Sequence, residues 1–323
     1  MVTDTSKARG RRTRLRPAGA PPAVDLRAAD GELVDDLDGL GSIDDTPVFA
    51  EAPEVASPDG QRRELLLAAR RRLVPIRRSF VQALRGSEDR AGPLARLVAD
   101  RQHIALDLLL LLIALQPVIG PSDPISGKTW ARLLSGTTER SAATISRTWK
   151  VLDELGLVQW TPGRPIILLR EDGSGVEYTH PGAARETAGY FGLPRRYWLD
   201  GWHQRLRLPG KAMLLVLLAE TNNPASPAFS LPAERIAEYY GFSLATVKRG
   251  LDELRDLGLL GETWRRVAAP RSPVGWTYQV HYWLKNPFSA AYREKAREVD
   301  AAEADQRRPK VKPGEQGEEV NGG

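Results

Sequence analysis

The chain has 323 residues, with 46 Lys and Arg against 41 Asp and Glu and a formal net charge of +5. That length suits about two domains plus tails, and the basic balance permits a polyanion partner without requiring one. There is no Cys, which excludes disulfides, thiol catalysis and cysteine metal sites.

Residues 1–60 hold few large apolar side chains and are expected to form a disordered tail. A basic cluster, Arg9 to Arg16, precedes an acidic block from Asp25 to Asp59. The tail reads either as solvated chain or as a basic arm on phosphates. The basic N-terminus has no apolar stretch behind it, so a cytoplasmic location is expected. The longest apolar run, Ile104 to Leu115, is broken by Asp107 and is too short to span a bilayer, so no membrane partner is expected.

Residues 61–93 read as an Arg-rich helical segment. Leu65, Leu66, Ala69, Leu73, Ile76, Phe80 and Leu84 recur at helical spacing, which predicts a helix over Gln61 to Arg85, kinked at Pro75. Its arginines form a solvated face over a packed stripe, or a surface for DNA, a membrane or an acidic partner.

Residues 94–181 are expected to form a first domain. Leu94 to Leu115 is a long buried helix, Thr129 to Leu134 a short one, and Gly136 to Arg140 a turn. Ser141 to Leu155 is a third helix. A strand lies within Gln159 to Arg170, Glu171 to Gly175 is a hairpin turn, and Val176 to Thr179 is the return strand.

Residues 182–288 repeat that plan. The aromatics Tyr190, Phe191, Tyr197, Trp198 and Trp202 are read as docking a leading segment on the core rather than stacking bases. Lys211 to Glu220 is the first helix, Asn222 to Phe229 a loop, and Pro232 to Tyr240 the second helix. Gly241 and Phe242 turn into the third. Glu262 to Ala268 and Trp276 to Leu284 are hairpin strands with the tip at Ala269 to Gly275. Residues 289–323 are a charged helix, Ala290 to Ala304, followed by a tail.

The third helices match without a gap. SAATISRTWKVLDELGLV from Ser141 aligns with SLATVKRGLDELRDLGLL from Ser243, at an offset of 102 residues, the difference between Thr246 and Thr144. Each begins at a Ser N-cap and ends at a Gly, Gly156 or Gly258. The expected fold is therefore mainly α with small β-hairpin wings: two tandem winged helix-turn-helix domains with disordered N- and C-terminal tails.

Such a helix, with small polar and basic groups at an exposed start, suits a DNA major groove. Thr144, Ser146 and Arg147 are expected at base edges in the first copy, with Lys150 on phosphate. Thr246, Lys248 and Arg249 do the same reading in the second. Arg164, Arg170, Arg265, Arg266 and Arg271 lie in or beside the wings and are expected on phosphates. Ala142, Ala143 and Trp149 make the first helix less polar, which leaves open that it only pairs subunits, so the expected partners are double-stranded DNA and a second copy of the chain.

Both repeats resemble the winged helix-turn-helix of bacterial regulators, whose recognition segment reads S-x-A/S-T-V-x-R-x-L-x-x-L-x-x-x-G-L-I. The second is also similar to the N-terminal domain of plasmid replication initiators, through LPRRYW at Leu193 to Trp198 and LPGKAMLLVLL at Leu208 to Leu218. Gly210 and Lys211 keep that family's basic position without its Ala-Lys order, and its polar insert before the second helix is short here. The resemblances imply a sequence-specific DNA-binding protein: a transcriptional regulator, or alternatively an initiator of plasmid or mobile-element replication. A winged-helix adaptor that binds proteins is a third class.

An enzyme is not expected. There is no G-x-S-x-G elbow, Walker loop, H-E-x-x-H or dinucleotide fingerprint. Asp153 with Glu154, and Asp252 with Glu253, read as solvated helix faces rather than acid/base pairs. No two of the four His lie at metal-ligand spacing on one helix, so neither metal nor cofactor is expected. The Ala- and Leu-rich helices suggest no ligand pocket.

Overall fold

A computed structural model describes residues 57–83, 90–119, 125–136, 139–181, 189–223 and 225–307. Expectations for the tail ahead of Ser57, for Leu84 and Arg85, for residues 182–188 and for the tail beyond Arg307 lie outside these residues. The compact unit Val55–Gly323 contains every described residue. It is a mainly helical fold carrying three two-stranded antiparallel sheets.

In chain order the elements begin with α1 (Pro58–Ala68), β1 (Leu73–Arg77), a 3-10 turn (Arg78–Phe80), α2 (Pro93–Ala99) and α3 (His103–Leu115). Next come α4 (Gly127–Leu134), α5 (Ala142–Glu154), β2 (Val158–Gln159), β3 (Ile167–Leu168) and β4 (Tyr190–Pro194). Two single turns, α6 (Arg196–Leu199) and α7 (Trp202–Arg205), lead into α8 (Leu208–Glu220), α9 (Ala233–Tyr240) and α10 (Leu244–Asp256). β5 (Leu260–Ala268), β6 (Trp276–Leu284) and α11 (Ala290–Arg307) close the chain.

Two helices without a polar face lie at the centre. Ala105 to Leu115 of α3 and Gly210 to Ala219 of α8 are buried residue after residue, as expected of helices enclosed on all sides. One continuous apolar cluster joins them, from Leu66 and Ile76 through Leu111 and Leu217 to Phe288. α10 crosses α8 at Gly250, where a Cβ would stand 2.5 Å from both the Met213 Cγ and the Pro209 carbonyl oxygen. Gly250→Ala is therefore expected to cost about 1–3 kcal/mol through overpacking, visible as a lower urea midpoint. An unchanged midpoint would show that the two helices are not this close.

The helix predicted over Gln61 to Arg85 ends early. Arg70 takes a left-handed φ of 53° after α1, and Pro75, which lacks the N–H that a helix interior needs, sits in β1 between Val74 and Ile76. β1 pairs antiparallel with β4 from Leu73↔Pro194 to Arg77↔Tyr190. The segments leading into the two halves of the fold are thus laced together. The aromatics of the second lead-in pack as expected: Phe191, Tyr197, Trp198 and Trp202 are buried, while Tyr190 is exposed.

The predicted helix from Leu94 to Leu115 is two helices. Arg101, at φ 55°, breaks it, and the Gln102 amide closes the end of α2 on the Leu97 carbonyl at 2.8 Å. The first hairpin also differs from expectation. β2 pairs with β3 (Val158↔Leu168, Gln159↔Ile167) around a turn at residues 161–164. The Glu171 to Gly175 turn is present, but its return segment adds only a Leu169↔Glu177 bridge. Between α8 and α9, Phe229 exchanges two backbone hydrogen bonds with Tyr282, so the stretch read as a loop adds a third strand-like rung to the β5–β6 hairpin.

Four of the arginines near the start, Arg62, Arg72, Arg77 and Arg78, are clamps, while Arg63 and Arg70 are exposed. Arg62 is buried and donates to the Leu133 carbonyl at the end of α4. Arg72 pairs with Asp300 and Glu303 of α11. Arg77 and Glu171, both fully buried, meet at 2.5 Å, and Arg78 reaches Glu220 at 3.0 Å. Glu253 is no solvated face either, because it accepts from the Arg207 and Gly210 amides at 2.6 and 3.1 Å. Those amides lie at the start of α8, where helical donors have no partner within the helix.

Candidate nucleic-acid interface

α5 and α10 have identical construction. Each has 13 residues. The Ser141 and Ser243 hydroxyls accept from the Thr144 and Thr246 amides, both at 3.1 Å. Gly156 and Gly258 end the helices at φ 66° and 71°, letting the Leu157 and Leu259 amides return to the Leu152 and Leu254 carbonyls. Ile145, Thr148, Trp149 and Leu152 are buried in α5, and their repeat partners Val247, Gly250, Leu251 and Leu254 are buried in α10.

This geometry sorts the residues expected to read DNA. Ser146, Arg147, Lys150, Lys248 and Arg249 are exposed. Thr144 and Thr246 are half-buried, and their hydroxyls lie 3.0 and 2.8 Å from the capping serines. Helix capping alone accounts for threonine at both positions. Arg147 Nε donates to the Ala143 carbonyl, and Lys150 stands 3.8 Å from Glu154, an exposed pair worth little. Among the described residues Lys248 and Arg249 form no ion pair.

The second hairpin is the longer one, with nine residues in each strand. Its register sets Arg265 opposite Gln279 and Arg266 opposite Tyr278, so the two arginines face opposite sides. Arg266 lies 4.1 Å over the Trp276 ring. Trp264 and Tyr278 are 61% and 59% exposed on that face. Arg271 is exposed at the tip. In the first half, Arg164 is exposed at the 161–164 turn, and Arg170 is held by Asp172 at 3.3 Å. Arg164 and Ser146 border a groove of about 610 Å³ whose walls include Trp130, Trp149 and Trp160. The exposed face of α5 therefore adjoins tryptophan.

The larger feature was not expected. A cleft of about 810 Å³ lies where the α2–α3 corner, the α4–α5 turn, the α7–α8 corner and the start of α10 meet. Arg101, Arg140, Arg207 and Arg249 line it, as do Ser243 and Thr246. Deeper in the cleft, Lys211 Nζ holds both Asp107 oxygens, at 2.6 and 2.7 Å. Asp107 is the one carboxylate in the lining, so the cleft is strongly cationic.

Burial governs the chemistry of the floor. It pushes the Asp107 carboxyl up, against the pull of the Lys211 charge. Behind the floor, it pushes the Tyr197 phenol well up, aided by Asp107. It lowers His203 to about 3, helped by the charges on Arg62 and Lys211. His203 is 6% exposed, and apart from an interaction with the Tyr197 backbone carbonyl its ring nitrogens have no hydrogen-bond partner.

Periodicity carries no mark of Arg101, Arg140, Arg207 or His203. The one available signal was Asp107, a charge within an apolar run. Among the described residues no group of His, Asp and Glu could hold a metal ion, and no helix is long and apolar enough to cross a membrane. No protein-family model, no curated protein and no solved structure matches the chain.

Proposed function

We propose that the chain is a sequence-specific double-stranded DNA-binding protein built on two tandem winged-helix units, and that it regulates transcription. The observation that carries this reading is the start of α10. There a serine-capped helix presents Lys248 and Arg249 without ion pairs, beside a long hairpin bearing Arg265, Arg266 and Arg271. A guanidinium so placed donates two parallel hydrogen bonds to guanine, and the hairpin arginines neutralise phosphate. The first unit repeats the helix but adjoins tryptophan-lined surface, so the second is the principal reader. On this reading the chain binds rather than catalyses.

Duplexes selected from a random pool test the proposal. Arg249→Ala is expected to cost about 1–3 kcal/mol on the selected site and to relax preference at one or two base pairs. Arg271→Ala weakens binding to all sequences alike and lowers the salt slope by about 1. Equal loss of specificity in both variants contradicts the assignment, and the absence of any enriched site sinks the reading. The genomic position of the selected site, at a promoter or in an origin, separates a regulator from a replication initiator.

A further inference from the structure

We infer that the outer half of the β5–β6 hairpin is a stacking platform for unpaired DNA, on which Trp264, Trp276 and Tyr278 hold bases and the hairpin arginines hold the strand's phosphates. The choice of DNA as the nucleic acid rests on the duplex-binding reading above; the platform itself does not.

The first observation is exposure. Trp264, Val274 and Tyr278, at 61%, 62% and 59%, are the three most exposed large apolar side chains among the described residues, and all three lie on this hairpin. Apolar side chains scattered singly over a surface need no explanation, whereas a contiguous patch marks a contact. The register makes these contiguous. Trp264 faces Val280, Arg266 faces Tyr278 and Ala268 faces Trp276, and alternate residues share a face. Trp264, Arg266, Trp276 and Tyr278 therefore form one surface. Toward the core the same face continues as Val280, Tyr282 and Leu284, which are buried. The aromatic surface begins where the hairpin leaves the core.

The second observation is how the rings stand. Neighbouring aromatics can serve only to stabilise a hairpin, and Trp276 and Tyr278 do meet edge to face, with centroids 5.2 Å apart. That contact leaves Trp264 and Tyr278 more than half exposed. Arg266 lies 4.1 Å over the Trp276 ring, which adds a guanidinium plane to the ring faces. Unstacked bases stack on aromatic rings and on guanidinium planes alike. From Trp264 to Ala268 the strand covers about 13 Å, enough for roughly two or three bases.

The third is charge. Glu262 is the one acid from Leu260 to Leu284, and Arg255 holds it at 2.8 Å. Arg265, Arg266 and Arg271 form no ion pair among the described residues. The hairpin is thus cationic as well as aromatic. A second copy of it would bring like charges together, whereas a nucleic-acid strand supplies both phosphates and flat apolar faces. Duplex DNA supplies phosphates, but its base faces are covered by their neighbours, so the exposed rings select an unpaired strand.

Fluorescence anisotropy on the full chain, at about 150 mM salt, tests the inference. The probes are a labelled twelve-nucleotide DNA strand of mixed sequence, the same sequence as RNA, an abasic strand of the same charge, and the selected duplex. The DNA strand is expected to bind at least ten-fold tighter than the abasic one, because the two differ only in their bases. Trp264→Ala and Tyr278→Ala should each weaken the strand at least five-fold and leave the duplex within two-fold. Trp264→Phe, which keeps a ring, should retain most of the affinity. Urea midpoints check that the variants fold. Arg249→Ala should act the other way, weakening the duplex and sparing the strand. The inference is overturned if the abasic strand binds as well as the DNA strand, which leaves charge alone, or if both alanine variants bind the strand normally. Tighter binding of the RNA overturns it as well. So does a loss of self-association in the alanine variants with strand binding unchanged, which makes the face a contact between copies. Strand binding by a chain that selects no duplex keeps the platform and removes the duplex reading. A selected duplex without strand binding does the reverse.

Discussion

Replacing Lys211 by methionine is expected to lower the unfolding free energy by about 3–5 kcal/mol, the usual cost of stranding one member of a buried ion pair. Lys211 Nζ is the cation on Asp107, at 2.6 and 2.7 Å, and the two side chains are 4% and 10% exposed. Methionine fills much of the lysine volume, so the loss comes from the carboxylate left behind. Burial already pushes that carboxyl up. Without its counter-charge the Asp107 carboxyl is pushed further up by burial, and the variant should recover part of its stability on acidification. Asp107→Leu combined with Lys211→Met removes both charges and should come close to the wild type, because two matched charges and two apolar groups often differ little in such a place. Urea titrations of the three variants decide the matter. A double variant as unstable as the single one would show that packing around α3 and α8 is at stake, not charge.

The second large effect belongs to His203. The ring is neutral in the folded chain, lowered to about 3, against an ordinary 6.5 in the unfolded chain. Unfolding therefore takes up a proton at any pH between those values. The stability associated with the neutral ring is complete above pH 6.5 and is lost as the pH falls toward 3, at about 1.4 kcal/mol per unit. Asp107 and Glu171 act in the opposite direction, since burial raises both carboxyls and acid relieves them. The clean measurement is thus a difference. The stability of the wild type minus that of His203→Gln should fall by about 3 kcal/mol between pH 7 and pH 4. A difference that stays flat across that range would mean that the ring reaches water and charges freely.

The parts of the fold legible in the residues are those specified by local chemistry. Ser141 and Ser243 mark helix starts because a hydroxyl caps free amides, and Gly156 and Gly258 mark the ends because the chain there turns left-handed. The long hairpin was read within two residues from its alternation. What escaped reading depends on partners far away in the chain. β1 looks helical until β4 is seen to pair with it across more than a hundred residues. Arg101 holds a backbone angle better suited to glycine, and nothing local announces it. Arg62, Arg72 and Arg77 look like a basic face because charge alone does not say whether an acid or a carbonyl waits opposite. The candidate site divides in the same way. Lys248 and Arg249 were read from one helix, whereas the cleft exists only because four separate corners of the chain converge.

The lacing of β1 to β4 has a consequence for how such a protein responds to its own abundance. In a homodimeric regulator the paired form accumulates with the square of the subunit concentration, and dilution dissolves it. On the proposed tandem reading, both members of the pair are made on one ribosome in one pass. Their union is first order, it survives at a few copies per cell, and each half is free to acquire different residues from the other.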